Sequence, residues 1–288
     1  MQITMLGPGF AVEVVGVDAS RPVSRSDAAE LRALLDRHEL LVLRAPDLDP
    51  KAHVEFVGLF GPVYDEYRDN SGLSYVSNVV GPFPSGRLLF HQDFAFTPYP
   101  HRVQSLYAQE VQGPVAPTLF VSNTGAFERL SPAQREAWRG LSAVNARDAT
   151  KTGQPDDEFV RVELRKLPGG DDPQRYPRAI HPLLQTHPRT GKPLLFVNEY
   201  YTSHILELPP EAGEQVIREA CALLYAPEHI YSHEWRPGDL VVWDNIALQH
   251  ARSAVKPETR RTLRRVLVND YAHDPGFRES AGLTYAMS

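Results

Sequence analysis

Apolar residues in this chain gather into short runs, separated by Pro, Gly, Asp and Ser. Residues 10–17 (FAVEVVGV) read as a strand. Asp27 and Glu30 form a capping-box pattern, and Leu31, Leu34 and Leu35 supply a helical stripe. Residues 40–43 have the length of a buried strand. Asp49-Pro50 starts a second helix, with Phe56, Val57 and Phe60 inward and Gly61 as its stop. Strand-like segments follow at 73–80, 88–96, 103–111 and 118–122. Ser131-Pro132-Ala133-Gln134 caps a helix running to about Leu141. Residues 194–198 form a strand. Residues 210–225 form a helix with Val216, Ile217, Ala220, Leu223 and Leu224 on or near one face. Residues 239–243 and 262–268 close the series as strands.

A helix pair followed by many short strands with inserted helices predicts a mainly β fold, a sandwich or jelly roll decorated by helices. Strands and helices do not alternate regularly, which argues against a doubly wound sheet. No G-x-G-x-x-G, P-loop or G-x-S-x-G motif occurs. The segment 151–178 is polar and rich in Gly, Pro and Asp. It is expected to be a long lid loop within a single domain spanning 1–288.

Composition narrows the classes. A chain of 288 residues, 42% hydrophobic, buries enough apolar surface to fold without a disulfide or a structural metal. Its only cysteine, Cys221, excludes an internal disulfide, a Cys-based zinc site and a Cys-ligated cluster. The net charge of −6 argues against a nucleic-acid partner, because phosphate neutralisation needs a basic surface. No run of 18 apolar residues suggests a membrane span, and the start shows no signal-peptide pattern, so the cytoplasm is the expected location. A homo-oligomer stays open.

His91-Gln92-Asp93 lies in the strand-like stretch LLFHQDFAF. On a strand, residues i and i+2 share a face, so an imidazole and a carboxylate project together. These are two of the three ligands of a 2-His-1-carboxylate triad, which leaves positions open on iron(II). His250, just after GDLVVWDN, is the best third ligand. His53-Val54-Glu55 is a decoy, because i and i+2 diverge by roughly 200° on a helix. Arg261, Leu263 and Arg265 share one face of the last strand, where guanidinium groups aimed inward need anions. Arg260 and Arg264 read as outward surface charge.

With these motifs the chain resembles the taurine dioxygenase-like (TauD/TfdA) family of iron(II)/2-oxoglutarate-dependent dioxygenases. The resemblance includes GFAVEVVGVDASRPVS, Phe60-Gly61, His91-x-Asp93, Thr118-Leu119-Phe120, Phe196-Val197-Asn198 and the stretch from Gly238-Asp239 through Trp243-Asp244-Asn245 to His250. It implies a double-stranded β-helix (cupin-like) core, with His91, Asp93 and His250 on the metal. Thr118 and Arg261 would hold the distal carboxylate of 2-oxoglutarate, and Arg265 an anionic substrate group. The implied reaction consumes 2-oxoglutarate and O2, gives succinate and CO2, and hydroxylates an unactivated C–H bond by default.

The chain has Phe90-His91-Gln92-Asp93 where many relatives have Trp-His-Thr-Asp. It also lacks the substrate-binding histidine of taurine-type members after Gly61. Taurine is therefore not the expected substrate. Glu66 and Asp69 could meet an amine while Arg265 and Arg87 meet a carboxylate, which suits a small organic acid or amino acid-like molecule. Tyr201 is the first choice for a pocket wall, with Phe94, Tyr64, Tyr67 and Tyr200 behind it. The alternatives are a metal-dependent hydrolase or isomerase, or a non-catalytic ligand binder, on the same scaffold.

Overall fold

The computed structural model describes residues 1–45, 47–67, 69–79, 86–151 and 159–271. The first eight strands are β1 (Gln2–Met5), β2 (Val12–Val15), β3 (Leu40–Arg44), β4 (Val63–Tyr64), β5 (Ser74–Ser77), β6 (Leu88–His91), β7 (Val103–Gln112) and β8 (Thr118–Ser122). Next come β9 (Ser142–Ala146), β10 (Arg178–Pro182), β11 (Leu184–Thr186), β12 (Pro193–Leu195) and β13 (Thr202–Ile205). The last are β14 (Tyr231–His233), β15 (Asp239–Asp244), β16 (Leu248–Arg252) and β17 (Arg260–Val268). The α-helices are α1 (Arg25–His38), α2 (Pro50–Gly58), α3 (Asn123–Arg129), α4 (Pro132–Ala137) and α5 (Pro210–Tyr225).

Two sheets form the core. The larger runs β1-β2-β3-β15-β7-β17-β4, with β5 also on β17, and the smaller runs β14-β8-β16-β6. Side-chain alternation along each strand builds the layers. In β15, Val241 and Trp243 point between the sheets and pack with Phe120 and Leu248 of the smaller sheet. Leu240 and Val242 point the other way, onto Leu31 and Leu35 of α1 and Phe56 and Val57 of α2. Helix α5 covers the outside of the smaller sheet, burying Ile217, Ala220 and Leu224 near Val121 and Ala251. This is the jelly roll expected from the sequence.

Local differences have local causes. Ser24, not Asp27, caps α1, its hydroxyl accepting from the Asp27 N–H, so the helix begins at Arg25. Strand β1 alternates polar Gln2 and Thr4 with apolar Ile3 and Met5, yet all four residues are exposed. Helix α3 is capped by Ser122, the last residue of β8, so strand and helix join without a loop. Helix α2 stops at Gly58, and Gly61 lies beyond it at φ 150°. A Cβ on Gly61 would overlap the Arg102 guanidinium and Val268. Of the expected lid, 152–158 lies outside the described residues; the rest carries a 3-10 turn at Leu164–Lys166 and runs into β10. No described helix is long and apolar enough to cross a membrane.

Candidate active site

His91 ends β6 and stands opposite His250 in the antiparallel register of β16, with ring centroids 4.2 Å apart. Nδ1 of His91 lies 2.8 Å from the Leu89 carbonyl oxygen. That acceptor demands a donor, so Nδ1 carries a proton. Asp93 reaches the site by a different route from the one the sequence suggests. The strand stops at His91, and Asp93 sits in the following turn, yet its Oδ1 is 3.1 Å from His91 Nε2. Asn245 fixes that turn: its Oδ1 accepts from the Asp93 N–H at 2.9 Å, and its Nδ2 donates to the Asp93 carbonyl at 3.0 Å. Phe94 follows at φ 65°, a strained position for a bulky side chain.

One donor atom from each of His91, Asp93 and His250 lies within 4.8 Å of the others. His250 Nδ1 is buried with no hydrogen-bond partner among the described residues. Burial, and then the charge of His91, push the His250 imidazole down to about 3, so it is a neutral electron-pair donor at ordinary pH. Burial alone would raise the Asp93 carboxyl. The His91 hydrogen bond, the two imidazoles and the Arg265 guanidinium overcome this and hold it well below the usual range. Two imidazoles and a carboxylate, clustered beside a cavity, form a donor set that fits iron(II) with open coordination positions.

The cavity measures about 340 Å³. At one end stands Thr118, whose Oγ1 accepts from Arg261 Nη2 and Trp235 Nε1, each at 3.0 Å. Arg261 is 3% exposed, and its Nε has no acceptor among the described residues. Burial, with Arg252 nearby, brings its guanidinium down to about 9. This end therefore favours an anionic occupant. The side wall is aromatic: Tyr200 and Tyr201 meet the His91 ring edge-on at 5.6 and 5.8 Å, and Phe94, Phe96 and Phe159 also line it.

Arg261, Leu263 and Arg265 face inward together. Arg265, however, is engaged within the protein. Its Nη2 donates to Glu66 Oε2 at 2.5 Å, its Nε to Ser74 Oγ at 2.9 Å, and its Nη1 lies 3.4 Å from Asp93 Oδ2. Glu66 and Arg265 line the cavity as one ion pair, not as separate receptors for an amine and an acid. Arg87 pairs with Glu199 at 3.3 Å and, like Asp69 and Tyr64, is not among the lining residues. Arg264 is not surface charge. It is 3% exposed, because α2 covers the face of β17 opposite the cavity. Arg260 is exposed and paired with Glu110. Sequence reading missed Arg252, Trp235, Arg147 and Lys151 at the cavity and its end. For Arg252 a signal exists: it is two residues after an inward-facing histidine on a strand.

A profile described as taurine catabolism dioxygenase TauD, TfdA family matches residues 2–267. Pentalenolactone F synthase of Streptomyces arenae is 28% identical, covering 93% of this chain and 95% of that protein. The alpha-ketoglutarate-dependent 2,4-dichlorophenoxyacetate dioxygenase of Cupriavidus pinatubonensis is 26% identical, over 93% of this chain and 97% of that one. Among solved structures, AAD-2 in complex with Mn(II) and N-oxalylglycine superposes with a TM-score of 0.77 at 23% identity, covering 93% and 96% of the two chains. A taurine dioxygenase from Burkholderia xenovorans gives 0.75 at 23% identity, over 93% and 90%.

Proposed function

This chain belongs to the TauD/TfdA family and is an alpha-ketoglutarate-dependent dioxygenase; from that premise we propose that it oxidises a C–H bond, by hydroxylation in the default case, on a small organic acid with an apolar body. His91, Asp93 and His250 would hold iron(II). When bound, that ion supplies the redox chemistry that couples O2-driven decarboxylation of 2-oxoglutarate, to succinate and CO2, with oxidation of the substrate. Thr118 and Arg261 hold the distal carboxylate, an Arg–carboxylate pair with a hydroxyl beside it. The aromatic wall shields the reacting bond from water.

The Glu66–Arg265 pair carries the substrate reading. With Arg265 balanced by Glu66 and Asp93, a substrate carboxylate finds its partner elsewhere. Arg147 and Lys151 line the same cavity, and the Arg147 guanidinium lies 5.3 Å from the centre of the Phe96 ring. An apolar acid would rest on the aromatics with its carboxylate toward Arg147. The same pair ties up Glu66 and lessens the case for an amino acid. The relative that acts on 2,4-dichlorophenoxyacetate takes an aromatic acid, in keeping with this chemistry.

Succinate release from 2-oxoglutarate with iron(II), across a panel of apolar carboxylic acids and α-amino acids, tests the proposal. At least one apolar acid is expected to stimulate release. Arg147→Ala is expected to raise the KM for that acid about tenfold and leave the KM for 2-oxoglutarate unchanged. Stimulation by amino acids alone would overturn the substrate reading, and no succinate under any condition would overturn the reaction.

A further inference from the structure

A threonine hydroxyl has two lone pairs and one hydrogen. Thr118 Oγ1 accepts from Trp235 Nε1 and from Arg261 Nη2, each at 3.0 Å. An indole N–H and a guanidinium N–H only donate, so neither can take the hydroxyl hydrogen in return. With both lone pairs engaged, that hydrogen is turned away from the two donors. Among the described residues no group accepts it. Thr118 is buried and lines the cavity, so the acceptor it lacks is one that the cavity can supply.

Trp235 is not among the lining residues and stands behind Thr118. It follows β14, whose His233 is opposite Thr118 in the antiparallel register with β8. The indole is 6% exposed and fixed on several sides. Its ring meets the His233 ring edge-on at 4.5 Å, and the Arg261 guanidinium carbon is 5.7 Å from its centre. Asp239 clamps the chain on both sides of it: Oδ2 accepts from the Arg236 N–H at 2.9 Å and lies 3.1 Å from His233 Nε2. A fixed indole holds its N–H in one direction, and with it one lone pair of Thr118.

We propose that Trp235 is a positioning residue for the co-substrate: its N–H locks the Thr118 hydroxyl as a donor, so that the hydroxyl addresses an oxygen of the distal carboxylate. The proposal rests on the reading of Thr118 and Arg261 as the 2-oxoglutarate end. Without the indole N–H, Arg261 still holds one lone pair, but the hydroxyl can rotate and turn the other toward the carboxylate. Trp235 thus acts through Thr118 and touches no reacting atom. If its N–H served only to hold the fold, losing it would lower stability without changing the preference among 2-oxo acids.

Equilibrium titration calorimetry on the Mn(II)-loaded protein separates the two roles. The ligands are 2-oxoglutarate and 2-oxobutanoate, which lacks the distal carboxylate. The proteins are wild type, Trp235→Phe, Thr118→Val and the double variant, each checked for folding by circular dichroism and for Mn(II) affinity. Trp235→Phe keeps an aromatic ring and loses the N–H. It is expected to weaken 2-oxoglutarate about fivefold and 2-oxobutanoate less than about twofold. Thr118→Val is expected to weaken 2-oxoglutarate about tenfold, and adding Trp235→Phe to it is expected to cost nothing further. If Trp235→Phe does not fold, replacing Trp235 by 3-benzothienylalanine, which has sulfur in place of the N–H in a ring of the same shape, carries the test. Losses that multiply in the double variant, equal losses for the two ligands, or no loss on removing the N–H overturn the proposal. A wild type that does not prefer 2-oxoglutarate, or Thr118→Val with unchanged affinity, overturns the underlying reading instead.

Discussion

Arg261 and Arg264 lie three residues apart on β17, and each is 3% exposed. Period-two alternation sends one to each side of the larger sheet. On the helix side, Arg264 Nη2 donates to the carbonyls of Leu48 and Asp49 at 2.6 and 3.1 Å, and its Nε donates to His53 Nδ1 at 3.2 Å. Its guanidinium carbon lies 4.8 Å from the centre of the Tyr107 ring. On the cavity side, Arg261 has a threonine hydroxyl, an orphaned Nε and a second guanidinium nearby. Burial is equal; satisfaction is not. A buried cation that the fold satisfies holds structure together, whereas one left short of acceptors awaits a ligand.

Methionine substitutions should split the pair most sharply. Arg261→Met is expected to weaken 2-oxoglutarate binding about 100-fold while the fold survives, because its native hydrogen bonds are few. Arg264→Met is expected to cost about 2–3 kcal/mol of stability by urea unfolding, with 2-oxoglutarate affinity unchanged once folded. The opposite pattern would break the contrast. Acid sharpens it next. Burial, and then the Arg264 charge, push His53 down to about 3. The folded protein therefore keeps His53 neutral while the unfolded chain protonates it from about pH 6.5 downward. Stability attached to this residue is complete above that pH and falls as the pH drops toward 3, by about 1.4 kcal/mol per pH unit. His53→Gln is expected to flatten the pH 6–5 slope by about one proton, and equal slopes would contradict the helix-side account. The smallest effect belongs to Arg260, exposed and paired with Glu110. Arg260→Ala is expected to leave unfolding midpoint and affinity where they are.

Much of this was legible in the chain because alternation and capping are local rules. The inward set Arg261, Leu263 and Arg265 follows from period two alone. The buried strand at 40–43 follows instead from a short unbroken apolar run, and every one of its residues is covered. What escaped depends on partners distant in sequence. Arg264 was misread because nothing near it tells that α2 covers its face. Asp93 meets His91 through a turn clamped by Asn245, 152 residues away. The Glu66–Arg265 pair spans 199 residues and appears only when β4 and β17 come together. Arg252 needed no long-range knowledge, only the alternation rule extended two residues past His250.

Anaerobic visible spectroscopy tests the central claim most directly. Iron(II) is added to the apoprotein, then 2-oxoglutarate. A weak charge-transfer band is expected only when both are present, and it should be absent in His250→Ala. A spectrum that 2-oxoglutarate leaves unchanged, with iron(II) shown to be bound, would contradict a chelating site at His91, Asp93 and His250.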